Sequence, residues 1–122
     1  MPGYVILRHE PPADAVRPVH WDFMLESGDR LRTWALTEEP RLGATIAAIP
    51  LADHRTAYLV YEGPVSGNRG SVTRWDHGTY STLREDDAIW QVRLRGSRWT
   101  GLASLRRDAE DSQRWDVEFS AG

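Results

Sequence analysis

The sequence predicts an all-β fold of about eight short antiparallel strands with little helix, arranged as a barrel or a sandwich. Apolar and polar residues alternate with a period of two from one end of the chain to the other. Clusters of glycine, proline, asparagine and aspartate separate the alternating segments, and amphipathic helix patterns are weak. At 122 residues the chain can bury one hydrophobic core, so we expect a single domain over residues 1–122.

The first predicted hairpin shows the alternation clearly. Trp21, Phe23 and Leu25 fall on one face of the segment 20–26, and its other residues fall on the opposite face. Ser27-Gly28-Asp29 is a typical turn, and residues 31–36 are the returning strand. The same pattern predicts further strands at residues 4–9, 45–52, 57–61, 71–75, 89–94, 99–105 and 114–119.

Turn signals lie between these strands, at residues 62–64, 66–70, 76–78 and 95–97. Residues 41–48 have some helical character, and residues 83–88 are compatible with one turn of helix. The segment 10–18 contains three prolines, which make regular structure there improbable.

Composition narrows the classes of function. Hydrophobic residues make up 40% and charged residues 27% of the chain, which is typical of a folded soluble protein. No stretch approaches the ~20 apolar residues of a membrane span, and the first residues lack the pattern of a signal peptide, so we expect a cytoplasmic protein. The absence of cysteine excludes disulfides, thiolate nucleophiles and zinc–sulfur sites.

The charge of the chain argues against bulk, non-specific binding of nucleic acid. The net charge is −3, although all 15 basic residues are arginine. A local basic site is still compatible with this balance, because arginine binds phosphate and carboxylate through a planar fork of donors.

One pair of residues suggests a metal site. His20 and Asp22 are two residues apart on a predicted strand and so project from the same face, opposite Trp21 and Phe23. A third ligand from a neighbouring strand would complete a divalent metal site, and His9 is the natural candidate. Two imidazoles and a carboxylate suit manganese, iron or zinc better than magnesium or calcium. From spacing alone, a surface histidine beside a solvated aspartate is the favoured interpretation.

A second cluster lies at residues 53–58. His54 and Tyr58 are four residues apart with Arg55 between them, a set that offers an N–H, an O–H and a guanidinium to a phosphate. The alternative is a polar loop whose tyrosine caps the barrel. Spacing does not separate the two interpretations.

Four ordered motifs resemble one protein family. Residues 20–26, His-Trp-Asp-Phe-Met-Leu-Glu, and 31–36, Leu-Arg-Thr-Trp-Ala-Leu, resemble the His-Tyr-Asp-Phe-Arg-Leu-Glu…Leu-Lys-Ser-Trp-Ala-Val signature of the 3′-phosphoesterase domain of bacterial ATP-dependent DNA ligase D. Residues 53–64 are similar to its Glu-Asp-His-Pro-Leu-x-Tyr…Phe-Glu-Gly segment, and residues 70–80 to its Gly-x-Val-x-x-Trp-Asp-x-Gly-Thr stretch. Residues 94–99 and 115–117 resemble its closing strands, so the resemblance covers nearly the whole chain.

The resemblance implies a compact antiparallel β-barrel and a manganese-dependent activity in DNA repair. The family removes a 3′-terminal ribonucleoside and then the remaining 3′-phosphate, which leaves a 3′-hydroxyl. By the resemblance, the metal ligands match His9, His20 and Asp22, and the phosphate-contacting histidine and tyrosine match His54 and Tyr58. The implied partners are 3′ ends of DNA or RNA–DNA and a separate DNA ligase or polymerase, with no membrane.

One departure from the family affects phosphate binding directly. Where the family has an arginine two residues after the ligand aspartate, this chain has Met24, which carries no charge and donates no hydrogen bond. Arg8, Arg55 and Arg74 are the candidates to supply a cation from another direction.

Other departures concern the surroundings of the site. Ala52 stands where the family has an acidic residue, and because the first predicted strand begins at Tyr4, we expect no counterpart of the N-terminal arm of the family. The two histidine ligands of the family are six residues apart, whereas His9 and His20 are eleven apart. A loop absorbs five extra residues at little cost in free energy.

These departures leave two alternatives to a 3′-end phosphoesterase. One is a catalytically degenerate barrel that binds metal or nucleic-acid ends without turnover, because removing a charged phosphate contact costs about two to three powers of ten in rate. The other is an enzyme that keeps the metal site and hydrolyses a small phosphate ester in a more open pocket.

Overall fold

Nine β-strands and one short 3₁₀ turn make up the regular structure of the computed structural model, which describes residues 1–16 and 18–122. The strands are β1 (Gly3–Glu10), β2 (His20–Ser27), β3 (Arg30–Leu36), β4 (Thr45–Arg55), β5 (Gly63–Pro64), β6 (Ser71–Glu85), β7 (Ile89–Gly96), β8 (Thr100–Arg107) and β9 (Trp115–Ser120). The 3₁₀ turn is Thr56–Leu59, and the described residues contain no α-helix. No described helix is long and apolar enough to cross a membrane.

The strands form a closed antiparallel barrel. The order of hydrogen-bonded neighbours is β1-β2-β3-β4-β9-β8-β7-β6, and pairing of β6 with β1 closes the ring. The short β5 pairs with the start of β6. The expectation of an all-β barrel of about eight strands is confirmed, because closure leaves none of these eight strands with an unpaired long edge.

The alternating apolar residues fill the inside of the barrel. Tyr4 and Ile6 of β1 and Phe23 and Leu25 of β2 are fully buried in one cluster that spans all eight barrel strands. Tryptophans are part of this core or pack against it: Trp34 and Trp90 are 2% and 4% exposed, and the other four are partly buried at its edge. Packing of apolar area, and not base stacking, therefore accounts for the richness in tryptophan.

A second, smaller apolar cluster lies on the outside of the barrel. Four of its buried members alternate with the inner residues of β1, β2 and β3: Val5, Leu7, Met24 and Leu31. The other two are Val65, which follows β5, and Val72 of β6. Tyr58 and Leu59 of the 3₁₀ turn pack against it. The segment from the 3₁₀ turn to β5 thus covers an outer face that would otherwise be in water, and we call these buried residues the outer cluster.

The 3₁₀ turn corrects one sequence expectation. Residues 57–61 were expected to be a strand, but Tyr58 and Leu59 are neighbours in sequence and both contact the outer cluster. Successive side chains of a strand point to opposite faces, whereas those of a helical turn can share one. The predicted turn at 62–64 likewise contains a strand, because Gly63 and Pro64 pair with β6 as β5.

Residues 76–78 are part of β6 and not a turn. The buried carboxylate of Asp76 accepts hydrogen bonds from the Tyr4 hydroxyl and from the Arg98 amide, both at 2.7 Å. A Cβ at Gly78 would lie 2.0 Å from the Arg95 carbonyl oxygen, so this glycine permits close approach of β7. Asp76 and Gly78, which suggested a turn in the sequence, instead form buried hydrogen bonds and allow close packing of β6 against β7.

The two weak helix signals are also wrong. Residues 41–44 are irregular and β4 begins at Thr45, with Ile46 and Ala48 alternating into the core. β6 continues through residues 83–85 to Glu85. Segment 10–18 is irregular after Glu10 as expected, except that Arg17 lies outside the described residues.

A glycine fixes the loop at residues 66–70 beside the end of β1. Gly70 has φ +88°, and a Cβ on it would lie 2.0 Å from the Glu10 carbonyl oxygen. The Gly70 carbonyl accepts a hydrogen bond of 2.8 Å from the Val65 amide, which closes the loop. Asn68 and Gly67 also have positive φ, so the expected turn at 66–70 is confirmed.

We predict that Gly70→Ala destabilises the protein more than Gly28→Ala. Both glycines have positive φ, but nothing lies within 4 Å of a Cβ at Gly28, so Gly28→Ala is destabilised only by the backbone strain of ~1–2 kcal/mol. At Gly70 the clash with the Glu10 backbone adds ~1–3 kcal/mol. Urea unfolding of both variants measures the difference; equal losses would contradict the close approach of the loop to β1.

Candidate metal centre and its cavity

Pairing of β1 with β2 brings three potential metal ligands together. The antiparallel register sets His9 directly opposite His20, and their rings lie 4.6 Å apart between centroids. Asp22 follows two residues after His20 on the same outer face of the barrel. One ligand atom from each of the three residues lies within 4.8 Å of the others. The irregular segment between β1 and β2 therefore does not separate the two histidines.

The carboxylate of Asp22 lies between the two imidazoles. Its Oδ2 is 2.9 Å from Nδ1 of His9, and its Oδ1 is 3.2 Å from Nε2 of His20. The Asp22 side chain is 4% exposed, and those of His9 and His20 are 17% and 15% exposed. The centre is thus open to solvent on the histidine side and closed behind the aspartate.

The hydrogen bond of the His9 ring to the loop constrains its protonation. Nε2 of His9 lies 2.7 Å from the Arg69 carbonyl oxygen, which only accepts, so Nε2 carries the hydrogen. A neutral His9 then presents the lone pair of Nδ1 to the Asp22 carboxylate. That arrangement is favourable only when Nδ1 is also protonated or when a cation shares the lone pairs of both groups.

The electrostatics of Asp22 favour the ionised carboxylate. Burial raises the pKa of Asp22, but its contacts with His20 and His9 outweigh that effect, so the pKa lies below its usual value. No described donor is aligned with Oδ1 of Asp22, even though His20 is near. A buried, ionised oxygen without an aligned donor is a suitable ligand for a cation.

The three residues fit a divalent metal ion. Bonds of about 2.1 Å at angles between 90° and 109° would place two ligand atoms ~3.0–3.4 Å apart. The two nitrogen–oxygen distances, 2.9 Å to Oδ2 and 3.2 Å to Oδ1 of Asp22, are close to that spacing, and one ligand atom from each residue lies within 4.8 Å of the others. Imidazole and carboxylate ligands suit manganese, iron or zinc, and the geometry does not choose among them.

A cavity of about 480 Å³ opens beside these three residues. It is walled by the proline-rich segment, by β4 and by the loop at 66–70; its lining residues include Pro11, Asp14, Leu51, His54, Asn68 and Arg69. Asp22 and Asp14 bring two carboxylates to this wall and Arg69 brings one guanidinium. The described lining is therefore short of positive charge for an anionic ligand unless a metal ion is bound.

His54 lines the cavity, and Tyr58 lies next to it. Nδ1 of His54 donates a hydrogen bond of 2.8 Å to the Ala52 carbonyl, which leaves Nε2 for a ligand. The ring of Tyr58 meets that of His54 edge to face at 5.6 Å. Both residues also line a small pocket of about 40 Å³ together with Asp22 and Met24. This pocket shares lining residues such as His54 with the cavity, and we call it the narrow extension. The second sequence cluster and the first thus share one site.

The three arginines considered from the sequence lie elsewhere. The side chain of Arg8 pairs with Glu10 at 3.2 Å, and Arg55 lines separate surface pockets. Arg74 is not among the residues that line the cavity or its extension. The arginine that lines both the cavity and the narrow extension is Arg69. The sequence did not indicate it, because the pattern at residues 66–70 predicted only a turn.

Fold and site together define the class: a closed antiparallel β-barrel that carries a candidate histidine–carboxylate metal centre on its outer surface. The chain belongs to the family of DNA Ligase D 3′-phosphoesterase domains, because the sequence model of that family matches residues 10–107. The match includes four of the five expected site residues and begins one residue after His9.

Curated relatives agree with this membership. The chain is 33% identical over 121 residues to the multifunctional non-homologous end joining DNA repair protein LigD of Mycobacterium tuberculosis and to the LigD end joining protein of Mycobacterium bovis. These matches cover 92% of this chain but only 15% of either relative. LigD of Pseudomonas aeruginosa is 32% identical over 85 residues, which is 66% of this chain and 10% of that protein.

We predict that His20→Ala and Asp22→Asn each lower the affinity for Mn²⁺ by at least about 100-fold, since partners outside the ligand set alone cost 10–100-fold. Isothermal titration of chelator-treated protein measures this. His77→Ala is the matched control, because His77 lies in β6 and is not one of the cavity residues. Unchanged affinity in Asp22→Asn would contradict the assignment of the centre.

Proposed function

We propose that the chain is a metal-dependent phosphoesterase that trims a 3′-terminal ribonucleotide or 3′-phosphate from nucleic-acid ends to leave a 3′-hydroxyl. The observation that carries the proposal is one cavity that holds both residue groups, the His9–His20–Asp22 centre and His54. Membership of the 3′-phosphoesterase family supplies the class of substrate.

His9, His20 and Asp22 would hold the metal, and Mn²⁺ is the ion that we propose. The chemistry supplied by a bound divalent ion is Lewis-acid polarisation of the phosphate. The Arg69 carbonyl keeps the proton of His9 on Nε2, so that Nδ1 stays directed at Asp22. The ordering of the centre thus depends on the loop at 66–70 as well as on the strands.

His54 is the residue that we propose to stabilise the charge on the phosphate or to donate a proton to the leaving oxygen. In removal of a 3′-phosphate, the oxygen of water bonds to phosphorus, the bond from phosphorus to O3′ breaks, and O3′ receives a proton. Because Nδ1 of His54 is bound to the Ala52 carbonyl, a protonated Nε2 would donate to the leaving oxygen or to a phosphate oxygen. For a terminal ribonucleoside the bond that breaks is the one from phosphorus to O5′.

Tyr58 would orient the ester. Its ring packs on the outer cluster and against the edge of His54, so its position is fixed by apolar contacts on one side and by the imidazole on the other. A hydroxyl held in this way binds a phosphate oxygen with little loss of conformational freedom.

The setting of this activity is DNA repair. The relatives are named as non-homologous end joining proteins, and the chain spans about 15% of the length of the Mycobacterium proteins. We propose DNA or RNA–DNA 3′ ends as the substrate, a DNA ligase or polymerase that uses the trimmed end, and the cytoplasm as the location.

Met24 favours a second candidate function, a barrel that binds metal and nucleic-acid ends without turning them over. Its side chain is 1% exposed within the outer cluster and faces the narrow extension beside His54 and Tyr58. No charge reaches the phosphate from that position. Binding of 3′-phosphate ends with salt-dependent affinity but no product would support this candidate.

We predict Mn²⁺-dependent release of the terminal group from a duplex primer that ends in a 3′-ribonucleotide or 3′-phosphate. His54→Ala should lower the rate by about 10²–10³-fold while Mn²⁺ affinity stays unchanged, since His54 acts on the phosphate and is not a ligand. His20→Ala should lose both metal and activity. Product analysis on denaturing gels measures cleavage.

Two results would contradict the proposed function. The first is intact 3′ ends under conditions in which a ligase D phosphoesterase domain cleaves the same primer. The second is hydrolysis of a small aryl phosphate without any action on oligonucleotides, which would assign the site to small phosphate esters.

A further inference from the structure

We propose that Arg69 is the phosphate-binding cation of this site. Its charge would come from the loop at 66–70, whereas by the family resemblance the corresponding arginine would be at the position of Met24 on β2. This proposal rests on the proposed function, because it names the residue that recognises the phosphate.

Position is the first observation behind the proposal. Arg69 lines the main cavity together with His20 and His54, and it also lines the narrow extension together with Met24 and Tyr58. Among the described residues that line these two spaces, Arg69 is the only arginine, and the chain has no lysine. A phosphate held between the metal centre and His54 would therefore be next to Arg69.

The side chain of Arg69 is held in place by its own loop. Its Nε donates to the Ser66 carbonyl oxygen at 2.7 Å, and one terminal nitrogen donates to Ser66 Oγ at 3.1 Å. The Arg69 carbonyl is fixed by His9 Nε2 at 2.7 Å, and Gly70 holds the loop against Glu10. Such anchoring orders the guanidinium before a ligand arrives.

The donors that remain on Arg69 suit a phosphate. A guanidinium has five N–H groups, and Ser66 takes two of them. No carboxylate among the described residues forms an ion pair with Arg69, although it is exposed at the cavity wall. An unneutralised fork of donors beside a metal centre is the arrangement that binds a phosphate through two oxygens.

The outer cluster explains why the cation is on the loop and not on β2. The Met24 side chain is buried against apolar neighbours such as Leu7 and Val72, and an arginine there would have to bury its stem or its charge among them. Arg69 lines the same extension but is exposed, so its charge stays in contact with water. The two positions are far apart in sequence and meet only in the folded barrel.

The test compares Arg69→Gln with Arg69→Lys and with Arg95→Gln, an exposed arginine of β7 that serves as matched control. Isothermal titration of the Mn²⁺-loaded protein measures the affinity for inorganic phosphate and for an oligonucleotide with a 3′-phosphate. We expect Arg69→Gln to weaken both at least tenfold, Arg69→Lys to recover part of the loss, and Arg95→Gln to leave both unchanged. Ser66→Ala, which removes one anchor, should weaken binding by a few-fold.

Metal affinity separates phosphate binding from a merely structural role. Unchanged Mn²⁺ affinity together with lost phosphate affinity supports the proposal, whereas an equal loss of Mn²⁺ affinity would overturn it by showing that Arg69 acts through His9. Full phosphate affinity in Arg69→Gln would also overturn it. If the wild-type protein binds 3′-phosphate through Arg69 but cleaves nothing, the assignment of Arg69 stands and the proposed catalysis fails.

Discussion

The candidate site depends on the antiparallel register of β1 with β2. That register sets His9 across from His20, and the period of two then puts Asp22 on the same outer face. The buried residues on the other face hold the register, because Ile6 and Phe23 are directly paired and fully buried. A slip by one residue would turn one histidine toward the core and expose apolar side chains, so the free energy of the core also fixes the positions of the candidate metal ligands.

The outer cluster supplies what a bare barrel surface lacks. On most antiparallel barrels the outer face is solvated, and a carboxylate there would be screened by water. Here the 3₁₀ turn and β5 cover this face, and the Asp22 side chain is only 4% exposed. Interactions of Asp22 with its histidines are therefore stronger than they would be in water, and the same cover places Tyr58 next to His54.

The elements that could be predicted from the sequence are those set by local pattern. Alternation located seven of the eight barrel strands to within about three residues at each end, and it put His20 and Asp22 on one face; the exception is β6, which was predicted over 71–75 and runs to Glu85. Where a distant contact decides the conformation, local pattern failed. The 3₁₀ turn forms because Tyr58 and Leu59 meet residues of β1 and β2, and the strand through Asp76 persists because Tyr4 reaches its carboxylate.

Arg69 shows the same limit at the level of the site. In the sequence it belongs to the glycine-rich turn at residues 66–70, which carries no catalytic or binding motif. Only the contact of that turn with Glu10 and His9, some 60 residues earlier in the chain, brings it to the cavity. The family resemblance could identify the five polar positions but could not supply this one, since it compares residues at matched positions.

Charge links the metal and the phosphate in this cavity. With two carboxylates and one guanidinium on the described lining, a phosphate that carries between one and two negative charges would be repelled by the protein alone. A divalent ion at His9, His20 and Asp22 would reverse the sign of the charge on the lining, and the charge of Arg69 would then add to an attraction. Binding of metal and of phosphate should therefore favour each other by the same factor, since coupling between two sites is reciprocal. The loop at 66–70 would take part in both events, because the Arg69 carbonyl contacts His9 and Arg69 is also one of the residues that line the cavity.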